Sequence, residues 1–162
     1  MIMEANKLLI EKFYTAFQQK DYTTMQSCYA EDALFNDAVF TNLNAHEVRA
    51  MWEMLIKKGK DLELSFSNIT ATDITASAQW VARYTFSTTG RKVINRIDAY
   101  FEIKDGKITK HTDSFSFYTW SKQALGLIGR LLGWTRFLQQ KVQKNARSSL
   151  AAYMNKKADE AN

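Results

Sequence analysis

The sequence predicts an α+β domain in which three helices precede an antiparallel sheet. Three observations carry that expectation. Apolar residues recur at helical spacing before Gly59, alternate with polar residues from Leu62 to Tyr118, and return to helical spacing after Trp120. The alternating stretches are joined by short turn signals, Thr89-Gly90 and Asp105-Gly106, which make hairpins rather than helical crossovers. With 162 residues, 46% hydrophobic and 24% charged, the chain is long and apolar enough for a single buried core.

Taken in order, Asn6 to Gln19 reads as the first helix, with Leu8, Leu9, Ile10, Phe13, Ala16 and Phe17 on one face and Asn6 as its N-cap. Asp21 caps a short second helix, Tyr22 to Tyr29, with Met25 and Cys28 inward. Ala33 to Phe40 reads as the first strand. Asn44 caps a third helix, Ala45 to Lys58, which Gly59 closes in the usual C-terminal position. Four strands follow: Leu62 to Ile69, Ser77 to Thr88, Lys92 to Ile103 and Lys107 to Tyr118. Two further helices are expected at about 121–131 and 135–155. Residues 1–120 form the expected domain and 121–162 a C-terminal helical extension packed on it.

Composition excludes several classes. One cysteine, Cys28, permits no intrachain disulfide. No signal-peptide pattern opens the chain and no apolar run approaches the roughly 18 residues that span a bilayer, so a cytoplasmic location is expected. The net charge of +5 is not spread evenly. From Trp120 onward there are eight basic and two acidic residues, against 14 and 15 in the rest. A solvated helix face accounts for this excess, and nucleic-acid binding is not expected.

Two histidines and one cysteine at no useful spacing make no metal site, and no glycine-rich phosphate loop or G-x-S-x-G is present. No metal or cofactor is therefore expected. What remains is polar residues in apolar patterns. Asp37 interrupts Leu34 to Phe40. His111 and Asp113 alternate with Phe115 and Phe117, which places all four on one face of the last strand. Asp98 lies between Ile97 and Ala99. A carboxylate at such a position is desolvated, which raises its pKa and suits it to acid or base work near neutral pH. Each of these side chains can equally point to solvent or serve as a paired structural acid.

The sequence resembles the nuclear transport factor 2-like superfamily, in its SnoaL-like and ketosteroid-isomerase-like branch, over residues 6 to 120. The resemblance is carried by Phe13-Tyr14-Thr15-Ala16-Phe17 with Lys20-Asp21-Tyr22, by Tyr29 to Phe35 leading to Asp37, and by Phe101 to Asp113. It implies a cone-shaped α+β barrel around one pocket. Asp37 falls where ketosteroid isomerases keep their general base, and Asp98 at or beside their second, protonated aspartate, a published example of a carboxylic acid held neutral. Phe13 stands where those enzymes have an oxyanion-binding tyrosine, with Tyr14 one place away. Asp113 falls where limonene-epoxide hydrolases have a catalytic aspartate, but Ser77 to Phe86 lacks their Arg-x-Asp pair. His111-x-Asp113 is similar to the acid–base pattern of SnoaL-like cyclases, and Ser116 stands where many relatives have a further aspartate.

The resemblance thus implies a pocket protein for a small apolar ligand with a polar group, either a cofactor-free isomerase, cyclase or epoxide-hydrolase-like enzyme or a non-catalytic binding or dimeric module. Asp37, Asp113 and His111 are the expected catalytic residues. Phe13, Tyr14, Tyr29, Trp52, Trp80, Tyr84, Phe115 and Phe117, with Asp98, are the expected pocket lining. A homodimer through an exposed sheet face bearing Leu64, Phe66, Val81 and Val93 is expected. The block Leu125 to Leu132 is expected to pack on the domain or its mate, ahead of membrane contact by the basic helices.

Overall fold

The computed structural model describes residues 1–162. Helices α1 (Ile2–Gln18) and α2 (Tyr22–Ser27) lead into β1 (Tyr29–Asn36), β2 (Leu43–Asn44) and α3 (Ala45–Lys58). Strands β3 (Glu63–Ala71), β4 (Thr75–Phe86), β5 (Arg91–Lys104) and β6 (Lys107–Ser114) follow, and α4 (Phe117–Leu125), α5 (Leu127–Leu132) and α6 (Arg136–Glu160) close the chain.

The local signals act largely as expected. Ile10, Phe13, Tyr14 and Phe17, spaced three and four apart, form the buried stripe of α1. The Asp21 carboxylate accepts the Thr24 N–H at 3.0 Å, and Asn44 and Glu47 form a reciprocal capping box on α3. Asp105 and Gly106, with φ of 52° and 72°, make the hairpin turn whose two positive φ angles match the twist of β5 and β6. Asn6 is not a cap. Helix α1 begins four residues earlier, and the buried Asn6 amide donates to the Thr72 and Asp73 carbonyls, both at 3.0 Å, pinning the β3–β4 turn. Gly59 ends α3 at φ −84°, outside the left-handed region. Glycine is needed there because a Cβ would lie 2.8 Å from the Leu55 carbonyl oxygen.

The six strands lie in the order β2-β1-β6-β5-β4-β3. From β3 to β6 every pairing is antiparallel, but β1 pairs with β6 in parallel, so the sheet is mixed. The hairpins constrain only neighbours in sequence. Strand β1 reaches β6 after a helix and four strands, a connection that imposes no antiparallel direction. The sheet stays open, with β2 and β3 at its edges. Its inner face and the three N-terminal helices enclose the main core, and Val93, Phe117, Trp120, Ala124 and Leu138 form a smaller second one.

Two strand ends differ from expectation. Strand β1 runs from Tyr29 and stops at Asn36, so Asp37 begins a loop. Strand β6 stops at Ser114, and the Ser116 hydroxyl accepts the Thr119 N–H at 3.2 Å, starting α4. A serine with free backbone donors ahead of it caps a helix better than it extends a strand. Phe117 therefore leaves the face of His111 and Asp113 and joins the second core. The residues expected to form a dimer face are also misplaced. Leu64 and Phe66 pack on the main core and Val93 is 1% exposed. The helices cover the more apolar face of the sheet. The outer face carries Ser65, Gln79, Arg83, Arg96 and Asp98, with Val81 half-buried and Ile94 and Tyr100 exposed.

The extension is helical but has three helices. Helix α6 runs back along the domain. Gln139 and Gln143 donate to the Ala38 carbonyl, Arg147 donates to the Thr41 carbonyl, and Leu150 is buried in the main core. The buried Glu53 carboxylate receives Lys157 Nζ at 2.6 Å and Tyr153 Oη at 2.9 Å. Burial pushes the Glu53 pKa up, but the Lys157 and Tyr153 bonds outweigh it and hold the carboxyl below its ordinary value of 4.5. Lys157→Ala is expected to cost about 1 kcal/mol at pH 7, because the ammonium is half exposed. A lowered carboxylate stabilises the fold above the unfolded pKa, so this loss should fade as the pH falls below about 4.5. Urea denaturation at pH 7 and pH 3 measures both; equal losses would contradict the assignment.

Candidate active site

The polar residues of β6 are placed by alternation. His111 and Asp113 point inward between Ile108 and the half-buried Phe115, while Lys110 and Ser114 point out. Parallel pairing sets Phe35 of β1 beside His111. Tyr29, Ala33 and Phe35, even numbers of residues apart, all face inward, and the register with β6 is irregular between Tyr29 and Leu34.

A continuous hydrogen-bonded chain results. Trp52 Nε1 donates to Tyr29 Oη at 2.8 Å, and Tyr29 Oη lies 2.8 Å from His111 Nδ1. His111 Nε2 lies 2.9 Å from Asp113 Oδ1, to which Trp80 Nε1 also points at 3.4 Å. His111 has no exposure. Since Tyr29 already accepts from Trp52 and its own hydrogen needs an acceptor, it donates to Nδ1. The imidazole then carries its hydrogen on Nε2 and donates to Asp113. Aromatic rings hold the imidazole: Phe101 at 4.3 Å, Phe35 at 5.0 Å, Phe13 at 5.7 Å and Trp52 at 6.2 Å between centroids.

Tyr14 is the exception to this satisfaction. Its ring is fixed between Phe66, Trp80, Phe13 and Phe101, yet its buried hydroxyl has no hydrogen-bond partner. An unpaired buried hydroxyl is costly, which makes it a marked feature of the interior. Burial, reinforced by the negative charge of Asp113, raises the Tyr14 pKa well above 10, so the phenol stays protonated. Tyr29 is raised well above 10 chiefly by burial, against the opposing Trp52 bond. Asp113 Oδ2, by contrast, receives no hydrogen bond from the protein.

Asp37 is close enough for the charge of Asp113 to raise its pKa, but it is hydrogen-bonded to neither Asp113 nor His111. Its Oδ1 accepts the Val39 and Phe40 N–H groups at 2.6 and 2.5 Å, closing the loop after β1. Burial raises the carboxyl to about 7 against the pull of these two bonds. Tyr84 faces the same region. Its hydroxyl accepts Trp120 Nε1 at 2.8 Å, and its pKa is raised by burial, with Asp37 adding to the effect.

Of the residues expected at the site, Tyr14, Tyr29, Trp52, Trp80, His111 and Asp113 are brought together, with Phe13 packed behind them. Asp37, Tyr84 and Phe115 lie toward the second core. Asp98 does not belong to it. It sits exposed on the outer sheet face and accepts Gln79 Nε2 at 2.9 Å, because strand alternation turns inward Ile97 and Ala99 and therefore turns Asp98 out. Phe117 is excluded by the start of α4. Phe35, Phe101 and Trp120 were not expected. Phe101 alternates with the inward Ala99 and Ile103, a legible signal, whereas Trp120 reaches Tyr84 only through the turn into α4.

The model of the SnoaL-like domain matches residues 10–111. No curated protein sequence matches the chain significantly. Among solved structures, a candidate polyketide cyclase from Xanthomonas campestris pv. campestris superposes with TM-score 0.64 at 18% identity, covering 76% of this chain and 98% of that one. An LEH-like epoxide hydrolase of M. tuberculosis gives 0.63 at 18% identity, over 80% and 97%. IdmH, a candidate polyketide cyclase of Streptomyces antibioticus, gives 0.60 at 21% identity, over 71% and 94%. These likenesses are of fold. With the family model matching more than half of its length, the chain belongs to the SnoaL-like domain family.

Proposed function

We propose that this protein is a cofactor-free acid–base enzyme acting on a small apolar molecule that carries one polar oxygen. The observation that carries the reading is the Tyr14 hydroxyl, buried without a partner in the same interior as Asp113, whose Oδ2, like that of Asp37, receives no hydrogen bond from the protein. Tyr14 would donate to the substrate oxygen. Asp113 would take a proton from the adjacent carbon and return it to another, while the electron pair moves onto the oxygen and back. His111 and Tyr29 act on Asp113 by positioning it, and Asp37, poised at about 7, is the second acid or base. The fold neighbours, described as cyclases and epoxide hydrolases, support cofactor-free chemistry of this kind.

A non-catalytic interaction module is the second reading, favoured by the absence of any exposure at Phe13, Tyr14, Phe35, Phe101 and His111, which leaves a substrate no open path to them. The test is exchange of the α-deuterons of cyclohexanone, followed by NMR. Exchange above the buffer rate that falls at least about 100-fold in Tyr14→Phe supports the enzyme. Exchange at the buffer rate supports the second reading. In the ligand-free protein, Tyr14→Phe should raise stability by about 1 kcal/mol, since it removes a buried hydroxyl with no partner. A loss of stability on urea denaturation would show that the hydroxyl is already satisfied.

A further inference from the structure

The block expected to be buried, Leu125 to Leu132, is split. Leu125 packs on the second core, but Leu127, Ile128, Leu131 and Leu132 are 70%, 58%, 62% and 42% exposed. Trp134 and Phe137, at the turn into α6, are 76% and 70% exposed. Six large apolar side chains thus stand out from one helix–turn–helix tip. Their direction is imposed by packing. A Cβ on Gly129 would lie 1.9 Å from the Ser121 carbonyl oxygen, and one on Gly133 would lie 2.1 Å from Ser121 Oγ. Helix α5 therefore docks on α4 through its glycines and must present its leucines and isoleucine outward.

The charge around this tip has one sign. Between Asp113 and Asp159 the chain contains no acidic residue. Arg130, Arg136 and Lys141, interspersed with the apolar residues, are exposed and make no ion pair. Alongside runs an open groove of about 770 Å³ lined by Arg91, Lys92, Lys122 and Arg130 with Gly90, Tyr118 and Gln123, again without an acid. No helix is long and apolar enough to cross a membrane. An apolar tip of Leu, Ile, Trp and Phe ringed by arginine and lysine is complementary to a negatively charged interface with hydrocarbon beneath it.

We infer that α5 and the start of α6 form a peripheral docking tip for anionic lipid bilayers, inserting Leu127, Leu131, Trp134 and Phe137 while the basic groove meets the headgroup phosphates. This reverses the sequence-based preference for packing, and it is independent of the proposed chemistry. The test is flotation of the full chain with phosphatidylglycerol and phosphatidylcholine vesicles, with light scattering of the free protein. Binding to the anionic vesicles that weakens as salt rises is expected. It should fall about 25-fold in Arg130→Gln/Arg136→Gln and at least about tenfold in Trp134→Ala/Phe137→Ala. Both variants should melt like the wild type, because the substituted residues are exposed. No binding to phosphatidylglycerol at low salt, or equal binding to both vesicle types, would overturn the inference. So would a stable dimer that Trp134→Ala/Phe137→Ala converts to monomer, since the tip would then be covered by a second copy.

Discussion

Replacing Asp113 by alanine should lower the free energy of unfolding by about 3 kcal/mol. The substitution removes the acceptor of His111 Nε2 and Trp80 Nε1, both enclosed in the core. Each would be left as a buried donor without a partner, and the relay that fixes the imidazole through Tyr29 would lose its anchor. Asp113→Asn should cost about a third as much, because the amide oxygen still accepts from Nε2. The same two variants separate structure from chemistry. Both remove the proposed base, so both should reduce cyclohexanone exchange by at least about 100-fold, whatever their stability. Urea denaturation measures the first effect and NMR the second. If alanine cost no more than asparagine, the carboxylate would not be sustaining the network.

Asp37→Asn should act in the opposite direction. The unfolded carboxyl ionises near 3.8, while the folded one is held at about 7 by burial. Between these values the unfolded chain loses its proton first, so rising pH favours unfolding from about pH 4 to pH 7 and has no further effect above. Asparagine does not ionise and keeps the oxygen that accepts from Val39 and Phe40. The variant should therefore match the wild type at pH 3.5 and be more stable by about 2–4 kcal/mol at pH 8. A wild-type rate profile with an inflection near pH 7 that disappears in the variant would place Asp37 in the chemistry. A stability gap independent of pH would show that the group is not desolvated as described.

Spacing by itself determined much of this protein. The stripe of α1, the caps Asp21 and Asn44, the Asp105-Gly106 hairpin and the alternation of β4 and β5 are local features, each set by residues within one turn or one pleat. His111 and Asp113 were legible for the same reason: a two-residue period puts both on one face, and a histidine and a carboxylate on an apolar face must find partners. Only the tertiary structure decided who those partners are. Trp52, Tyr29 and Trp80 come from three elements, and β1 reaches β6 in parallel, a pairing that no turn between them encodes. The end of β6 shows where local signals compete, since Phe115 and Phe117 alternate as in a strand while Ser116 caps a helix. The tip of α5 shows the limit of periodicity. An apolar stripe predicts burial, but the glycines at 129 and 133 face Ser121 at contact distance, and close approach of two backbones turned the stripe outward.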